Sequence, residues 1–201
     1  MMVSAPYGLV LTLLCGFHLL ILRPMTTTLL CDRIDSEIGQ ILTVMDQDRL
    51  CALDFVEHED RMIRSLEKRY PLFELTAAPI ENPISDRIRN YFTGNLTSVN
   101  EIPVKTQGTE FQTLVWQTLR QIPVGQVWSY QKLAIAIGKP KAVRAVGMAN
   151  RLNPVQIVIP CHRVVGANGN LIGYAGGIER KQWLLNHEGV ALPSLSNPSL
   201  L

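Results

Sequence analysis

The sequence IVIPCHRV, residues 157–164, is the most informative stretch of this chain of 201 residues. Residues 155–159 are mostly β-branched, and the apolar run is too short for a helix. Pro160 cannot continue a helix or a strand ladder, so the backbone is expected to turn sharply at Cys161. Such a turn presents the Cys161 thiol at the end of a rigid element, with His162 directly behind it.

The adjacent cysteine and histidine are a candidate nucleophile and base. A thiol reacts as its thiolate, and a neighbouring imidazole or a helix N-terminus lowers the thiol pKa from about 8.5 toward neutrality. His162 is therefore the candidate base for Cys161. The alternative is that Cys161 is a small buried apolar residue and that the neighbouring histidine has no chemical role.

Charge is unevenly distributed along the chain. Residues 111–178 contain no Asp or Glu and seven basic residues, a net charge of +7, whereas residues 24–110 contain fifteen acidic and nine basic residues, a net charge of −6. Lys and Arg without interspersed carboxylates favour a polyanion through counterion release. The carboxyl-terminal half is thus a candidate polyanion surface, and a solvated basic face without a partner is the alternative. The seven basic residues are Arg120, Lys132, Lys139, Lys141, Arg144, Arg151 and Arg163.

Length and cysteine usage limit the class of protein. The chain is long enough for one large or two small domains, and its hydrophobic content of 47% excludes a disordered chain. Cys15, Cys31, Cys51 and Cys161 are scattered without the spacing of a disulfide framework or a zinc site. We therefore expect no metal and a reducing, cytoplasmic compartment.

The amino terminus resembles a targeting segment without its usual flanks. Residues 7–22 are uncharged and strongly apolar, but no Lys or Arg precedes them and no small-residue cleavage pattern follows. We expect residues 1–24 to be a mis-assigned start, with the working protein beginning at Met25, and no membrane association. A genuine amino-terminal anchor is the alternative. The Pro- and Ser-rich residues 191–201 are expected to form a loose tail.

Residues 25–104 have the pattern of a small α/β domain. Apolar residues alternate through residues 29–55 and are interrupted twice by turn sequences, which predicts three short antiparallel strands. Helical spacing predicts helices over residues 58–70 and 85–92, with a strand over residues 73–77 between them. This acidic domain has no catalytic motif and is expected to be a scaffold.

Residues 105–190 have the pattern of a mainly helical domain. Thr109 with Gln112 forms a capping box for a helix whose apolar face is Phe111, Leu114, Val115, Thr118 and Leu119. Ser129 caps a predicted helix over residues 130–137, and a basic helix rich in small residues begins near Lys141 and continues through Arg151. Two short helices joined by a tight glycine-containing turn predict a helix-turn-helix. A last helix over residues 178–187 is expected to bury Trp183, Leu184 and Leu185 and to end at Gly189.

Three motifs in order carry a family resemblance: PCHRV at residues 160–164, GYAGG at 173–177 and WLLNHEG at 183–189. Together they resemble the active-site region of the O6-alkylguanine-DNA alkyltransferases, the methylated-DNA–protein-cysteine methyltransferases. The resemblance covers residues 109–189 and extends loosely back to Leu29. It implies an α+β fold in which a ribonuclease H-like domain precedes a winged-helix-like DNA-binding domain that contains the helix-turn-helix and the active-site cysteine.

The resemblance also implies a function and a partner. Such a protein is a monomer that binds double-stranded DNA containing alkylated bases and flips O6-alkylguanine, or O4-alkylthymine, out of the duplex. It transfers the alkyl group irreversibly to its own cysteine, once per molecule and without a cofactor. Some family members hold zinc in the amino-terminal part, but Cys31, Cys51 and His58 cannot be matched to those ligands.

Residue roles follow from the same resemblance. Cys161 is the nucleophile, His162 is the base acting through a water, and Glu188 orients that histidine. Tyr130 donates its hydroxyl proton to the leaving guanine. Further substrate and DNA contacts are implied for Arg144, Asn153, Val164, Tyr174, Ala175, Lys141 and Arg151, with Arg144 filling the space of the flipped base and Asn153 holding the turn before Cys161. Relatives that carry serine at the position of Ala175 have a side-chain contact that this chain lacks.

Two other classes of protein compete with this interpretation. A helix-turn-helix regulator accounts for the basic helices but not for Cys161, His162 and Glu188 together. A cysteine hydrolase with a Cys-His-Glu triad accounts for those three residues but not for the basic region free of carboxylates.

Overall fold

A computed structural model describes residues 26–191 of the chain. The expected leader over residues 1–24 and the tail beyond residue 191 lie outside the described residues. Within residues 26–191, no helix is both long enough and apolar enough to cross a membrane.

The first half of the described chain is a four-stranded sheet with two helices. The strand order is β3-β2-β1-β4, with β1 antiparallel to β2 and parallel to β4. The three predicted antiparallel strands, the following helix and the fourth strand are all confirmed. The elements are β1 (Thr27–Ile34), β2 (Ile41–Asp46), β3 (Arg49–Phe55), α1 (Glu59–Arg69), β4 (Phe73–Ala77) and α2 (Pro83–Phe92).

Helix α2 begins two residues earlier than predicted because of its cap. The side-chain oxygen of Asn82 accepts hydrogen bonds from the backbone N–H groups of Ile84 and Ser85, and Pro83 occupies the first helical turn. Pro is favoured there because it lacks the N–H that would otherwise need a partner. The cap fixes the direction of α2, and Tyr91 near the end of this helix contacts Glu188.

The second half is mainly helical, and its capping box is confirmed. The Thr109 side chain accepts from the backbone of Gln112, whose side chain accepts from the backbone of Thr109. The elements are α3 (Glu110–Leu119), β5 (Trp128–Ser129), α4 (Tyr130–Ala136), α5 (Val143–Arg151), β6 (Val164–Val165) and α6 (Ile178–His187), with β5 and β6 forming a short parallel pair.

Two predicted core positions are wrong. Leu114 is 37% exposed, and Trp116, which lay outside the predicted face of α3, is buried and donates from Nε1 to the Ala149 carbonyl at 2.9 Å. Trp183 is half-buried rather than buried, because it stacks on His187 of the next helical turn with ring centroids 4.6 Å apart.

The sheet is covered on both faces, which explains why every residue of β2 is buried. One face packs against α1 through Met62 and Leu66. The other face belongs to a larger core shared with the second half of the chain, in which Phe55 lies with Leu119 and Ile159. The two halves therefore share one apolar core and do not pack as separate units.

The apolar run before the cysteine pairs with the outer edge of β3 at one bridge. The Leu53 N–H donates to the Pro154 carbonyl at 3.0 Å, and the Gln156 N–H donates back to Leu53 at 3.1 Å. After this single bridge the chain forms turns, with Ile157 at φ 68°. A β-branched residue at positive φ is strained. The run is thus a set of turns held by the amino-terminal sheet.

Candidate active site

Cys161 begins a short 3-10 turn, Cys161–Arg163, directly after Pro160. The turn is held by Asn153, whose Nδ2 donates to the Ile159 carbonyl at 2.8 Å and lies 3.1 Å from the Cys161 sulfur. The Asn153 Oδ1 accepts from the Val155 N–H at 3.0 Å. One amide side chain thus closes the turn before the cysteine and contacts the sulfur.

The Cys161 thiol is a weaker acid than the sequence led us to expect. Burial raises its pKa to about 11, although the Asn153 hydrogen bond and the charge of Lys181 favour the thiolate. The side chain is almost completely buried, so no solvent stabilises the sulfur anion. The resting sulfur is therefore a protonated thiol, and its reaction requires a base.

His162 is positioned as that base by Glu188. Its Nε2 lies 3.0 Å from the Glu188 Oε1, and both side chains are fully buried. Its Nδ1 is buried and has no protein partner among residues 26–191. A carboxylate beside Nε2 selects the tautomer with the proton on Nε2, which leaves the Nδ1 lone pair available. Burial lowers the pKa of His162 despite Glu188, so the imidazole is neutral near pH 7.

The Glu188 carboxylate is itself held by three groups. Arg163 donates from Nε to Oε2 at 2.7 Å and from Nη2 to Oε1 at 2.8 Å, and the Tyr91 hydroxyl donates to Oε1 at 2.8 Å. Burial acts to raise the pKa of Glu188, but the hydrogen bonds and charges of His162 and Arg163 outweigh it and hold the pKa well below its usual range. The carboxylate is thus ionised and fixed in orientation.

A cavity of about 270 Å³ lies beside the helix-turn-helix and is lined by Tyr130, Asn150, Tyr174 and Ala175 among others. The Tyr130 hydroxyl lies 3.3 Å from the Gly173 carbonyl, and burial together with the nearby Cys161 raises the pKa of Tyr130. Asn150 Oδ1 is buried and has no partner in the described part of the chain. The cavity is therefore bordered by a neutral phenol and by the Asn150 side chain.

Two cations that the sequence analysis missed hold the loop over this cavity. Lys181 Nζ donates to the carbonyls of Val164 and Ile172 at 2.5 and 2.7 Å, and burial lowers its pKa to about 8. Arg61 on α1 donates to the Ala175 carbonyl at 3.0 Å and pairs with Asp54.

The sequence contains a signal that Lys181 is buried. Lys181 lies at helical spacing from Leu184, Leu185 and Glu188, so it belongs to the buried face of α6. A lysine on such a face must bury its ammonium and find acceptors. Arg61 had no comparable signal, because its partners lie on β3 and on a loop more than a hundred residues away.

The basic surface is smaller than the charge count indicated. Arg163 is buried against Glu188, and Arg120 donates to the carbonyls of Asn100 and Ile102 at 2.6 and 3.0 Å. Arg163 is therefore not available to a polyanion, and Arg120 is half-buried. The other five cations of the acid-free segment are exposed on or beside α4 and α5, and they are Lys132, Lys139, Lys141, Arg144 and Arg151.

The structure brings most of the predicted site residues together. Asn153 contacts the Cys161 sulfur and Glu188 contacts His162, so these four residues form two buried pairs at adjacent positions of one turn. Tyr130, Tyr174 and Ala175 line the adjoining cavity. Val164 is buried in β6, and its carbonyl binds Lys181. Arg151 borders the cavity, whereas Lys141 and Arg144 are exposed at the start of α5.

The described residues contain no metal-binding cluster. Within residues 26–191, no group of three His, Cys, Asp or Glu side chains could hold a metal ion. Cys31, Cys51 and Cys161 are all free thiols.

Comparison with known proteins places this site in a family. Residues 29–106 match the family described as 6-O-methylguanine DNA methyltransferase, ribonuclease-like domain, and residues 110–190 match the DNA binding domain of the same name. The methylated-DNA–protein-cysteine methyltransferase of Shigella flexneri is 46% identical over 167 residues, which cover 82% of this chain and 98% of that protein. The protein of the same name from Methanosarcina barkeri is 40% identical over 162 residues, covering 78% and 95%.

Solved structures agree with the sequence matches. Mycobacterium tuberculosis OGT in complex with DNA superimposes with a TM-score of 0.68 at 37% identity, covering 81% of this chain and 95% of that one. The O6-methylguanine methyltransferase of the same organism superimposes with a TM-score of 0.65 at 35% identity, covering 84% and 98%. With its ribonuclease-like domain followed by a DNA-binding domain, this chain belongs to the 6-O-methylguanine DNA methyltransferase family.

Proposed function

We propose that this protein repairs DNA by moving the alkyl group of O6-alkylguanine, and of O4-alkylthymine, irreversibly onto Cys161. The observation that carries the proposal is two buried pairs, Asn153–Cys161 and His162–Glu188, at adjacent positions of one turn beside a cavity bordered by the helix-turn-helix. The chain also belongs to a family whose relatives are named methylated-DNA–protein-cysteine methyltransferases, and this supports the same reaction.

The chemistry is a single displacement. The Cys161 thiol gives its proton through a water to Nδ1 of His162, and Glu188 stabilises the imidazolium that forms. The sulfur then attacks the alkyl carbon, so a carbon–sulfur bond forms as the carbon–oxygen bond to the base breaks. Tyr130 donates its hydroxyl proton to the purine, which leaves as a neutral base. The thioether is not hydrolysed, so each protein molecule reacts once and needs no cofactor.

A base inside a duplex must be extruded before a buried thiol can reach it. We assign Arg144, exposed on α5, to the space that the flipped base leaves, and Lys141 and Arg151 to the phosphates. Val164, Tyr174 and Ala175 are assigned to the bound base, and Asn153 to holding the turn before Cys161. The carbonyl of Val164 and the backbone of Ala175 are held by Lys181 and Arg61, which supports a preformed pocket.

Finer features of the fold and setting belong to the same proposal. We infer a winged-helix-like domain over residues 105–190, with α5 as the recognition helix and the loop after β6 as the wing, following a ribonuclease H-like domain over residues 25–104. The β5–β6 pair is parallel and two residues long, so this wing is a loop and not a hairpin. We also infer a monomer, because one chain supplies every group named above, and a cytoplasmic setting, which suits the free thiols Cys31, Cys51 and Cys161.

Labelled alkyl transfer tests the proposal. A duplex oligonucleotide with isotopically labelled O6-methylguanine is mixed with the protein, with Cys161→Ala and with the control Cys51→Ala, and the labelled peptide is mapped. We expect one label per molecule on Cys161, none with Cys161→Ala, unchanged transfer with Cys51→Ala, and similar DNA affinity for all three. Label on another residue, or repeated release of methanol by hydrolysis, would overturn the assignment.

A further inference from the structure

Tyr91 of the amino-terminal domain reaches into the active site of the carboxyl-terminal domain. It lies on α2, is fully buried, and its hydroxyl donates to the Glu188 Oε1 at 2.8 Å. The same residue is fixed at two further points, because its carbonyl lies 2.8 Å from the His187 Nε2 and its ring packs edge-on against the His187 ring. These contacts therefore hold the Tyr91 hydroxyl against Glu188.

The oxygen that Tyr91 contacts is the one that contacts the catalytic histidine. Oε1 of Glu188 lies within hydrogen-bonding distance of His162 Nε2, Arg163 Nη2 and the Tyr91 hydroxyl, while Oε2 accepts from Arg163 Nε. Three donors on one oxygen share its electron density. Removing one of them strengthens the hold of Oε1 on the remaining donors, including His162.

We propose that Tyr91 is a positioning residue for alkyl transfer, whose hydroxyl orients the Glu188 carboxylate and limits how strongly that carboxylate holds a proton on His162. The amino-terminal domain thereby takes part in the chemistry and is not a scaffold alone. The inference rests on the proposed function, because it concerns the same thiol and the same base.

The surroundings of His162 allow the effect to be read from pH. The charged and titratable groups that face it are Cys161, Arg163, Tyr174, Lys181, Glu188 and, through Glu188, Tyr91. Burial and then Glu188 hold the pKa of Tyr91 far above its usual value, so this hydroxyl remains a donor at every working pH. His162 must be neutral to accept the thiol proton, so the rate of transfer falls on the acid side as the imidazole becomes protonated.

Tyr91→Phe keeps the ring and removes the donor. The His162 imidazole should then hold its proton more strongly, and the acid limb of the single-turnover rate should move to higher pH. A displacement of half to one pH unit lowers the rate on that limb by about threefold to tenfold and leaves the rate above the limb nearly unchanged. Tyr91→3,5-difluorotyrosine makes a stronger donor and should move the limb in the opposite direction.

A matched hydroxyl deletion separates this effect from a loss of stability. Tyr70→Phe removes a buried tyrosine hydroxyl from the same domain, in the core on the α1 side of the sheet. It should leave the acid limb in place even if it lowers the unfolding midpoint. An unmoved limb in Tyr91→Phe, or an equal displacement in Tyr70→Phe, would show that Tyr91 serves packing alone.

A second readout is independent of alkyl transfer. NMR titration of the His162 imidazole in the wild type and in Tyr91→Phe measures the same change without any alkylated DNA. If wild-type protein accepts no label on Cys161 but the imidazole titration still moves, the proposed function fails and the link between Tyr91 and His162 stands. If wild-type protein is labelled and neither the rate limb nor the imidazole titration moves, this inference fails and the proposed function stands.

Discussion

The Cys161 thiol is protonated in the free protein, so its reactivity depends on a bound substrate. The thiol is buried, its pKa is raised to about 11 by that burial, and the neighbouring His162 is neutral because burial lowers the imidazole pKa. Two neutral groups are a stable resting pair, whereas a buried thiolate and imidazolium would each lose hydration. We expect the proton to pass from Cys161 to His162 only when a substrate places an electrophilic carbon beside the sulfur.

The first prediction concerns the acidity of this thiol. Iodoacetamide, a small neutral reagent, should modify Cys161 slowly at pH 7 and with a rate that rises through pH 9 to 10, because the thiolate fraction grows toward a midpoint of about 11. Peptide mass spectrometry follows Cys161 separately from the other cysteines. The same peptide in urea is the control and should titrate near the usual value for cysteine. A midpoint near neutrality in the folded protein would contradict the protonated resting state.

The second prediction concerns the amide that closes the cysteine turn. Asn153→Ala leaves the buried Val155 N–H without a partner, whereas the Ile159 carbonyl keeps the hydrogen bond that it accepts from the Cys161 N–H. An unpaired buried backbone group costs about 1–3 kcal/mol, so the free energy of unfolding should fall by roughly 1–3 kcal/mol. Urea unfolding measures the change, and Asn186→Ala on the exposed side of α6 is the control, expected within about 0.5 kcal/mol of wild type. Equal stability of the two variants would show that the turn holds itself.

At the scale of elements, the residues proposed for chemistry and for DNA contact lie on or beside two neighbouring helices, α4 and α5. Tyr130 is the first residue of α4 and faces the cavity, whereas Lys141 and Arg144 are exposed at the start of α5. A Cβ built at Gly147 would lie 3.8 Å from the Tyr130 ring, an ordinary van der Waals distance, so this packing does not depend on the glycine. The proposed proton donor and the proposed DNA-binding cations therefore lie on or beside two helices that contact each other.

The third prediction separates base flipping from phosphate binding. Arg144→Ala should slow repair of duplex DNA far more than reaction with free O6-methylguanine, because the free base has no stacking or pairing to break. Tyr130→Phe should slow both reactions, as expected for a group that acts on the purine itself. Single-turnover rates on the two substrates measure both effects.

Lys141→Ala is the matched control for this comparison. It should weaken DNA binding and reduce its salt dependence, and its duplex defect should disappear at high protein concentration. If Arg144→Ala behaved in the same way, or slowed both substrates equally, Arg144 would be a phosphate or pocket residue and its flipping role would be withdrawn.

At the scale of the whole molecule, buried polar groups join the two halves around the active site. Tyr91 on α2 in the first half donates to Glu188, which follows α6 in the second half. On the other side of the cavity, Asp54 on β3 accepts from Gln156 Nε2 at 2.6 Å, just before the cysteine turn. Because these groups are buried, removing one member of a pair leaves the other without a hydrogen bond from protein or water.

The fourth prediction follows from the ionised, buried carboxylate. The folded pKa of Glu188 is depressed below its ordinary value of 4.5, so the stability it contributes is present above about pH 4.5 and is lost as pH falls further. The free energy of unfolding, measured in urea from pH 7 to pH 3, should fall steeply below pH 4.5. Glu188→Gln should cost about 3–5 kcal/mol at pH 7, because Arg163 stays buried without a counter-ion, and should flatten the acid slope.

An exposed pair provides the comparison for that experiment. Glu101 contacts Arg87 at the surface, and Glu101→Gln should change stability by less than about 1 kcal/mol and leave the acid slope intact. If Glu188→Gln retained the wild-type slope between pH 4.5 and 3, the acid sensitivity would have to come from other carboxylates.

Short-range patterns in the sequence predicted the elements of this protein and its candidate nucleophile. Alternating apolar residues specified three antiparallel strands and the Thr109 capping box specified the start of α3, because each of these signals lies within a few neighbouring residues. The motif around Cys161 indicated the proposed nucleophile for the same reason. The tertiary structure alone decided the partners of Arg163 and Arg61, because Glu188 and the Ala175 carbonyl lie far along the chain from them. It also decided the raised pKa of the Cys161 thiol and the contact between Tyr91 and Glu188. Burial of the thiol and packing of the two halves against each other are properties of the folded molecule, and no local sequence pattern predicts them.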